Sequence, residues 1–362
     1  MKNNRNVYII AEAGVNHNGS VSRAVKMVKV AATYGADAIK FQTFKADRIV
    51  TRSAPKADYQ INAVGNTESQ FEMIKNLELS LHDHLEIKAA CDSIGIEFLS
   101  TPFDVESVDL LVNIVGVSRL KIPSGEITNP MLLLKAARTG KPLIISTGMS
   151  TLGEIEDALG VVAFGLCKFD LPHSEKNFRK AFFSKEGQEA LKEKVSLLHC
   201  TTEYPAAFQD TNLFAMDTIR SAFNLPTGLS DHTSGTAVPI AAVARGAEII
   251  EKHFTLDKSL PGPDHKASLE PDELRQMVLS IKSVEKALGN SSKMPVEAEL
   301  KNLAIARKSL VALTSIKEGT AFTPENLGVK RPGTGISPMK YWEYLGKKAR
   351  RDYSEDELIE NT

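Results

Sequence analysis

Residues 246–255 read GAEIIEKHFT. Ile249 and Ile250 look like the inside of a buried strand, yet Glu251, Lys252 and His253 follow at once, and none of the three is cheap to bury. The same construction recurs along the chain. Apolar, β-branched runs occur at VYIIAE (7–12), DAIKFQT (37–43), IEFLST (96–101), RLKIPSGE (119–126), PLIISTG (142–148), VSLLHCT (195–201), LPTGLSDH (225–232) and EIIEKHF (248–254), each followed by a polar cluster. Stretches with helical periodicity lie between most of them, such as SRAVKMVKVAATYG and NPMLLLKAARTG, and several end in a glycine suited to terminate a helix: Gly35, Gly95, Gly140 and Gly246. Eight strands alternating with helices predict a (β/α)8 TIM barrel, whose strands are buried on both faces and whose functional groups collect at their carboxyl ends. In that fold a Glu-Lys-His terminus is expected at the barrel mouth. An open doubly wound sheet competes, but it needs no eighth strand, and no G-x-G-x-x-G follows the first one. The seventh strand has the weakest signal, diluted by Pro226 and Gly228.

Two regions break the rhythm. Residues 168–194 insert a charged segment before the sixth strand, read as a helical excursion. After residue 288 a polar stretch, NSSKMPVEAE, reads as a linker, and short strand-like pieces between Gly and Pro turns follow it. The expected division is a catalytic barrel over 1–288, a linker over 289–300 and a small β-rich domain over 301–362, which is near the lower size for independent folding.

Composition narrows the function. The chain has 362 residues, 42% hydrophobic and 25% charged, with 44 Lys and Arg against 45 Asp and Glu. A formal net charge of -1 gives no global field for nucleic acid or membrane, so neither is expected as a partner and any charged ligand must be met locally. Glu12 interrupts the amino-terminal apolar stretch before it could serve as a signal segment, and no run suits a membrane span, so a cytoplasmic location is expected. Cys91, Cys167 and Cys200 have no paired spacing and read as reduced filler.

At the predicted mouth, His232 and His253 end consecutive strands. Two neutral imidazoles there suit a divalent ion with positions left open for substrate oxygen; the alternative is that each is a hydrogen-bonded structural residue. His17 is a candidate to join them, whereas His82, His84 and His173 fall on predicted surface segments. Lys40, Lys121 and Lys252 at separate strand ends suggest an anionic substrate, with the Ser, Thr and Gly of IPSGE and STGMS completing a phosphate or carboxylate cradle. The alternatives are salt bridges to Glu12, Glu126 and Glu251, or a Schiff-base lysine. Glu12 and Glu126 are the candidate general acids or bases.

With these residues assembled, the sequence resembles the sialic acid synthase family, which includes N-acetylneuraminate and N,N′-diacetyllegionaminate synthases. The resemblance rests on ten motifs in order: EAGVNHNGS, IKFQTFKAD, STPFD, KIPSGE, STGM, LLHCTTEYP, GLSDHT, IEKHFTLD, PGPDHKAS and KRPGTGISP. The carboxyl-terminal part is similar to the SAF, or antifreeze-like, module that accompanies this barrel as a lid.

The resemblance implies condensation of phosphoenolpyruvate with an open-chain 2-acetamido-mannose-type aldehyde, giving a nine-carbon 2-keto acid and phosphate. It implies Mn2+, with Mg2+ or Co2+ as substitutes, held by His232 and His253. It assigns Lys40, Thr101, Lys121, Ser124, Ser146 and Ser230 to phosphoenolpyruvate, and Gln42, Tyr204 and Asp264 to the sugar together with Glu12. Glu126 would manage the water and the intermediate. Arg331 would come from a second subunit in a domain-swapped homodimer. One departure is Thr202, next to Glu203, where some family members carry a phosphoenolpyruvate-contacting Asn. The TTEYP spelling and the 168–194 insertion are similar to legionaminate-type enzymes. A class I Schiff-base aldolase and a non-catalytic sugar-phosphate-binding protein are the alternatives.

Overall fold

The computed structural model describes residues 6–58, 60–61 and 69–360. All eight expected barrel strands form: β1 Tyr8–Gly14, β2 Ala38–Thr43, β3 Glu97–Pro102, β4 Leu120–Ile122, β5 Leu143–Ser146, β6 Val195–Cys200, β7 Thr227–Asp231 and β8 Ile249–His253. They make one parallel sheet in the order β3-β2-β1-β8-β7-β6-β5-β4. At the seam β3 and β4 lie side by side, where Glu97 of β3 accepts hydrogen bonds from Ser118 and Arg119 at the start of β4. The result is an eight-stranded, nearly closed TIM-type barrel. Gly35, Gly95, Gly140 and Gly246 each stand past a helix with positive φ, as the sequence predicts. Gly228, which weakens the apolar signal of β7, is required by space: a Cβ there would come within 2.2 Å of the Ile249 carbonyl oxygen on β8.

Strand alternation sorts the side chains into two environments. One face of each strand packs outward on the helices, burying residues such as Ile9, Ala11, Ile39, Phe41, Leu197 and Ile250. The other face points into the barrel, where Ile10, Ala38, Leu99, Ile144, Leu198 and Ile249 form an apolar layer. Two residues further along those strands, toward their carboxyl ends, stand Glu12, Lys40, Thr101, Ser146, Cys200 and Glu251. The inward positions thus change from a packed plug to a polar floor within one strand repeat.

The 168–194 insertion forms helices Glu175–Phe183 and Lys185–Lys194, packed on helix Leu152–Leu166. The chain divides into two compact units, 1–289 and 290–362. The end of the expected linker is already ordered, because a good helix-forming run makes helix Glu297–Ala306. Beyond it β9 Ser309–Ala312 pairs antiparallel with β10 Leu327–Lys330, over a small core that includes Leu310, Phe322, Leu327, Tyr344 and Tyr353. No helix among the described residues is long and apolar enough to cross a membrane.

Candidate active site

A cavity of about 300 Å³ opens at the carboxyl ends of the barrel strands. Its floor holds two lysines and two carboxylates. Lys40 Nζ lies 2.6 Å from Glu12 Oε2 and 3.7 Å from Glu251 Oε2, while Lys121 Nζ lies 3.4 Å from Glu251 Oε1. Hydroxyls close the set: Lys40 donates to Thr101 Oγ1 at 3.0 Å, Lys121 to Ser146 Oγ at 2.7 Å, and Ser230 Oγ to Glu251 Oε1 at 2.8 Å. The register places these groups side by side, since Glu12 pairs with Lys40 across β1 and β2, and Ser230 with Glu251 across β7 and β8.

The two carboxylates are driven apart electrostatically. Burial raises Glu12 to about 7, outweighing the adjacent Lys40. Burial would raise Glu251 too, but Lys121 and Lys40 flank it and bring it down to about 2. Lys40 is held up by Glu12 and Glu251 against the effect of burial, whereas burial lowers Lys121 despite Glu251. Glu12 is thus only partly ionised near pH 7, while Glu251 stays an anion between the two lysines. Two buried lysines with hydroxyls beside them make a floor suited to a phosphate or carboxylate.

Above the floor stand the two histidines. Their ring centroids are 5.4 Å apart, and the Tyr204 ring lies 4.2 Å from that of His232 and 5.4 Å from that of His253. Burial lowers His232 to about 4 and, joined by repulsion from His232 and Lys40, takes His253 well below the usual imidazole value. Both rings are therefore neutral near pH 7, the form that binds metal. His232 Nδ1 donates to the Thr201 carbonyl at 2.6 Å, which fixes its tautomer and leaves Nε2 as the lone-pair nitrogen. Buried His253 Nδ1 has no hydrogen-bond partner within the protein and lies 3.9 Å from Asp264 Oδ2. Burial raises Asp264 to about 6. No group of three or more His, Cys, Asp and Glu side chains among the described residues converges on a metal position. The donor set that fits a divalent ion is thus the imidazole pair, with its remaining coordination open.

Most residues expected at the site line this one cavity: Glu12, Lys40, Gln42, Thr101, Lys121, Ser124, Ser146, Thr202, Tyr204, Ser230, His232, His253 and Asp264. Glu126 stands apart from the lining, in the turn after β4, where it accepts from Asn129 Nδ2 at 2.7 Å. Arg331 belongs to the second unit, where its Nε donates to the Ala306 carbonyl at 3.0 Å.

Three other readings change. Lys252 faces away from the cavity and pairs with Asp231 at 2.5 Å, because it lies on the opposite strand face from Glu251 and His253. His17 is buried beside Phe41, its Nδ1 accepting from the Gly19 amide, and does not join the histidine pair. His84, expected on the surface, is buried because it shares a helix face with Ile87 and Cys91. Its Nδ1 donates to Ser80 O, so its Nε2 accepts from Thr43 Oγ1 at 2.8 Å.

Some lining residues escape a motif-based reading. Glu251 looks like a salt-bridge partner in the sequence but is the central anion of the floor. Cys200 is more than filler: its Sγ lies 3.0 Å from Ser124 Oγ. Gly148 closes over both, since a Cβ there would meet Cys200 Sγ at 2.8 Å and Ser124 Oγ at 2.9 Å, besides Thr202 Oγ1 at 2.4 Å. One wall is apolar, built from Phe44, Ile49, Met73, Ile74 and Leu77.

Residues 27–293 match the NeuB family and residues 307–361 match the SAF domain. The chain is 50% identical to N,N'-diacetyllegionaminic acid synthase of Campylobacter jejuni, over 97% of this chain and 98% of that one. It is 45% identical to the protein of the same description from Legionella pneumophila, over 96% and 91%. Among solved structures it resembles N-acetylneuraminic acid (sialic acid) synthetase from Leptospira borgpetersenii, with a TM-score of 0.66 and 34% identity over 82% of this chain and 90% of that one.

Proposed function

The chain belongs to the NeuB family and carries a SAF domain, and from that premise we propose that it condenses phosphoenolpyruvate with an open-chain 2,4-diacetamido-6-deoxymannose-type aldehyde, forming N,N′-diacetyllegionaminate. The observation that carries this reading is the polar floor, where buried Lys40 and Lys121 flank Glu251 amid the Thr101, Ser146 and Ser230 hydroxyls. Lys40, Lys121, Thr101, Ser124, Ser146, Thr202 and Ser230 would hold the phosphate and carboxylate of phosphoenolpyruvate. Gln42, Tyr204 and Asp264 would face the sugar. The apolar wall of Ile49, Met73, Ile74 and Leu77 suits a 6-deoxy methyl group better than a hydroxymethyl one, and the two legionaminic relatives support the same choice.

In the reaction, C3 of the enol ester forms a bond to the aldehyde carbon, whose oxygen takes a proton to become a hydroxyl. Water adds at C2 and loses a proton. The tetrahedral intermediate then breaks its C2–O bond to release phosphate and leave the 2-keto acid. A divalent ion such as Mn2+ held by His232 and His253 would act as a Lewis acid on the aldehyde oxygen. Glu12, with its raised pKa, is placed to hold or deliver a proton near pH 7. Glu126, the other carboxylate the family resemblance makes catalytic, lies outside the cavity lining and accepts from Asn129, so Glu12 is the carboxylate at hand for this proton. A homodimer in which Arg331 reaches the partner's cavity completes the proposal.

Phosphate release from phosphoenolpyruvate, measured with Mn2+ and a panel of acetamido sugars, tests this function. Release with the diacetamido-deoxy sugar well above that with N-acetylmannosamine is expected, and phosphate retaining an isotopically labelled bridging oxygen would report C–O cleavage. Burial lowers Lys121, as a Schiff-base lysine requires. A lysine adduct trapped by borohydride with substrate would therefore overturn the reading in favour of an aldolase.

A further inference from the structure

Lys252 is the member of the Glu251-Lys252-His253 run that the cavity does not use. Its side chain is fully buried, donating to Asp231 Oδ2 at 2.5 Å and to the Thr233 carbonyl. Asp231 is its cross-strand partner in the β7–β8 ladder and accepts from Thr233 N at 3.0 Å and Thr233 Oγ1 at 3.1 Å. The positions immediately before them on this outward face are the apolar Leu229 and Ile250. A buried ion pair is generally no better for stability than apolar side chains of similar volume, so its presence here points to a role other than stability.

Its place in the chain suggests that role. Asp231 immediately precedes His232, Thr233 immediately follows it, and Lys252 immediately precedes His253. The paired register of β7 and β8 ends at Asp231 and Lys252. Beyond that point the histidine backbones turn to other neighbours: His232 O accepts from Ala206 N, and His253 O from Leu269 N. The ion pair and its bond to Thr233 O are therefore the last ties between the two strands, bracketing His232 on both sides.

We infer that Asp231 and Lys252 form a positioning clamp that holds His232 and His253 at the separation needed to share one divalent cation. The inference rests on the proposed reading of those histidines as metal ligands. The clamp touches no substrate and acts only through the backbone between its two charges and the two rings.

Mn2+ titration of the full chain, followed by electron paramagnetic resonance without substrate, tests the clamp. Lys252→Met should weaken Mn2+ binding at least tenfold and alter the visible spectrum of the Co2+-loaded protein. Phosphoenolpyruvate binding to the metal-free protein should stay within twofold, which general loosening of the barrel would not allow. The shape-conserving neutral pair Asp231→Asn with Lys252→Gln should recover much of the Mn2+ affinity. If Lys252→Met fails to fold, the apolar pair Asp231→Leu with Lys252→Met, which leaves no orphan charge, should show the same selective loss. Unchanged Mn2+ affinity and Co2+ spectrum in a folded variant, or parallel loss of Mn2+ and phosphoenolpyruvate binding, would overturn the clamp alone. If His253→Ala leaves wild-type Mn2+ affinity untouched, the metal reading fails and the clamp falls with it.

Discussion

Two layers of the barrel interior lie only two residues apart on the same strands, and they are built on opposite terms. The lower layer of Ile10, Ala38, Leu99, Ile144, Leu198 and Ile249 is apolar, and the layer above it holds Glu12, Lys40, Thr101, Ser146, Cys200 and Glu251. Burial does not distinguish them, for Lys40 and Glu251 are each 4% exposed, inside the 0–6% span of the plug below. What distinguishes them is the cost. The apolar layer gains free energy by leaving water, while the polar one must offset desolvation with its own ion pairs and hydroxyls. A fully buried layer that carries such a cost is the part of the barrel to read as functional, and the layer beneath supports it.

The largest effect expected from this contrast is on stability and belongs to the lower layer. Leu198→Ala should cost roughly 2–5 kcal/mol of unfolding free energy, the range for deleting a buried leucine side chain, read by urea denaturation. A cost below 1 kcal/mol would mean that the plug does not carry the barrel.

Next comes a pH effect in the upper layer. A carboxyl whose folded pKa is raised contributes stability that is present below its unfolded pKa and is lost as pH climbs through the folded value. Glu12 moves from 4.5 to about 7 on folding. Wild type should therefore lose ground to Glu12→Gln, which mimics the neutral acid, between those two pH values, by on the order of 3 kcal/mol in total. Denaturation of both proteins at pH 4.5 and pH 7.5 measures it, and a constant gap would show that folding does not raise Glu12.

Smaller still is Lys121→Met, which should weaken phosphoenolpyruvate binding by about 2 kcal/mol through loss of a charge-assisted contact. Sugar binding should change less. Calorimetric titration with each substrate separates the two, and unchanged phosphoenolpyruvate affinity would make the upper layer a structural network.

The strands of these layers were legible because polar groups close off apolar runs, a signal that survives even in β7, where Gly228 makes room for Ile249. Glu12, Lys40, Lys121, His232 and His253 were legible for the same reason, being strand-end groups, as were Ser124 and Ser146 in the IPSGE and STGMS runs, whereas Gln42, Thr101, Thr202, Tyr204, Ser230 and Asp264 came from the family resemblance. Strand parity also bore on Lys252: if Glu251 and His253 face inward, the residue between them faces out. Helical spacing likewise put His84 with Ile87 and Cys91. The apolar wall of Ile49, Met73, Ile74 and Leu77 could not be read, because it comes from two short helices and the turn after the second, too short to show a sustained period. Glu251 was hidden for another reason, since an acid near two lysines reads as a salt-bridge partner until the register places it between them.

The smallest expected effect moves the comparison out of the barrel. Both layers are built from the first unit, whereas Arg331 is an exposed residue of the second, in a Gly/Pro-rich loop after β10. Its Nε is bonded to Ala306 O within that unit. A guanidinium held by its stem can donate in fixed geometry to an acetyl carbonyl, which a flexible lysine imitates poorly. Arg331→Ala should raise the sugar KM about tenfold, roughly 1.4 kcal/mol, with phosphoenolpyruvate affinity and Mn2+ binding unchanged. Arg331→Lys should recover little. If the second unit of one chain serves the cavity of another, mixing Arg331→Ala chains with inactive His253→Ala chains should restore low-KM turnover, because the hybrid dimer holds one cavity with both groups intact. Verified subunit exchange without that recovery would place Arg331 over its own chain's cavity, while a KM unchanged in Arg331→Ala would leave sugar recognition to the barrel alone.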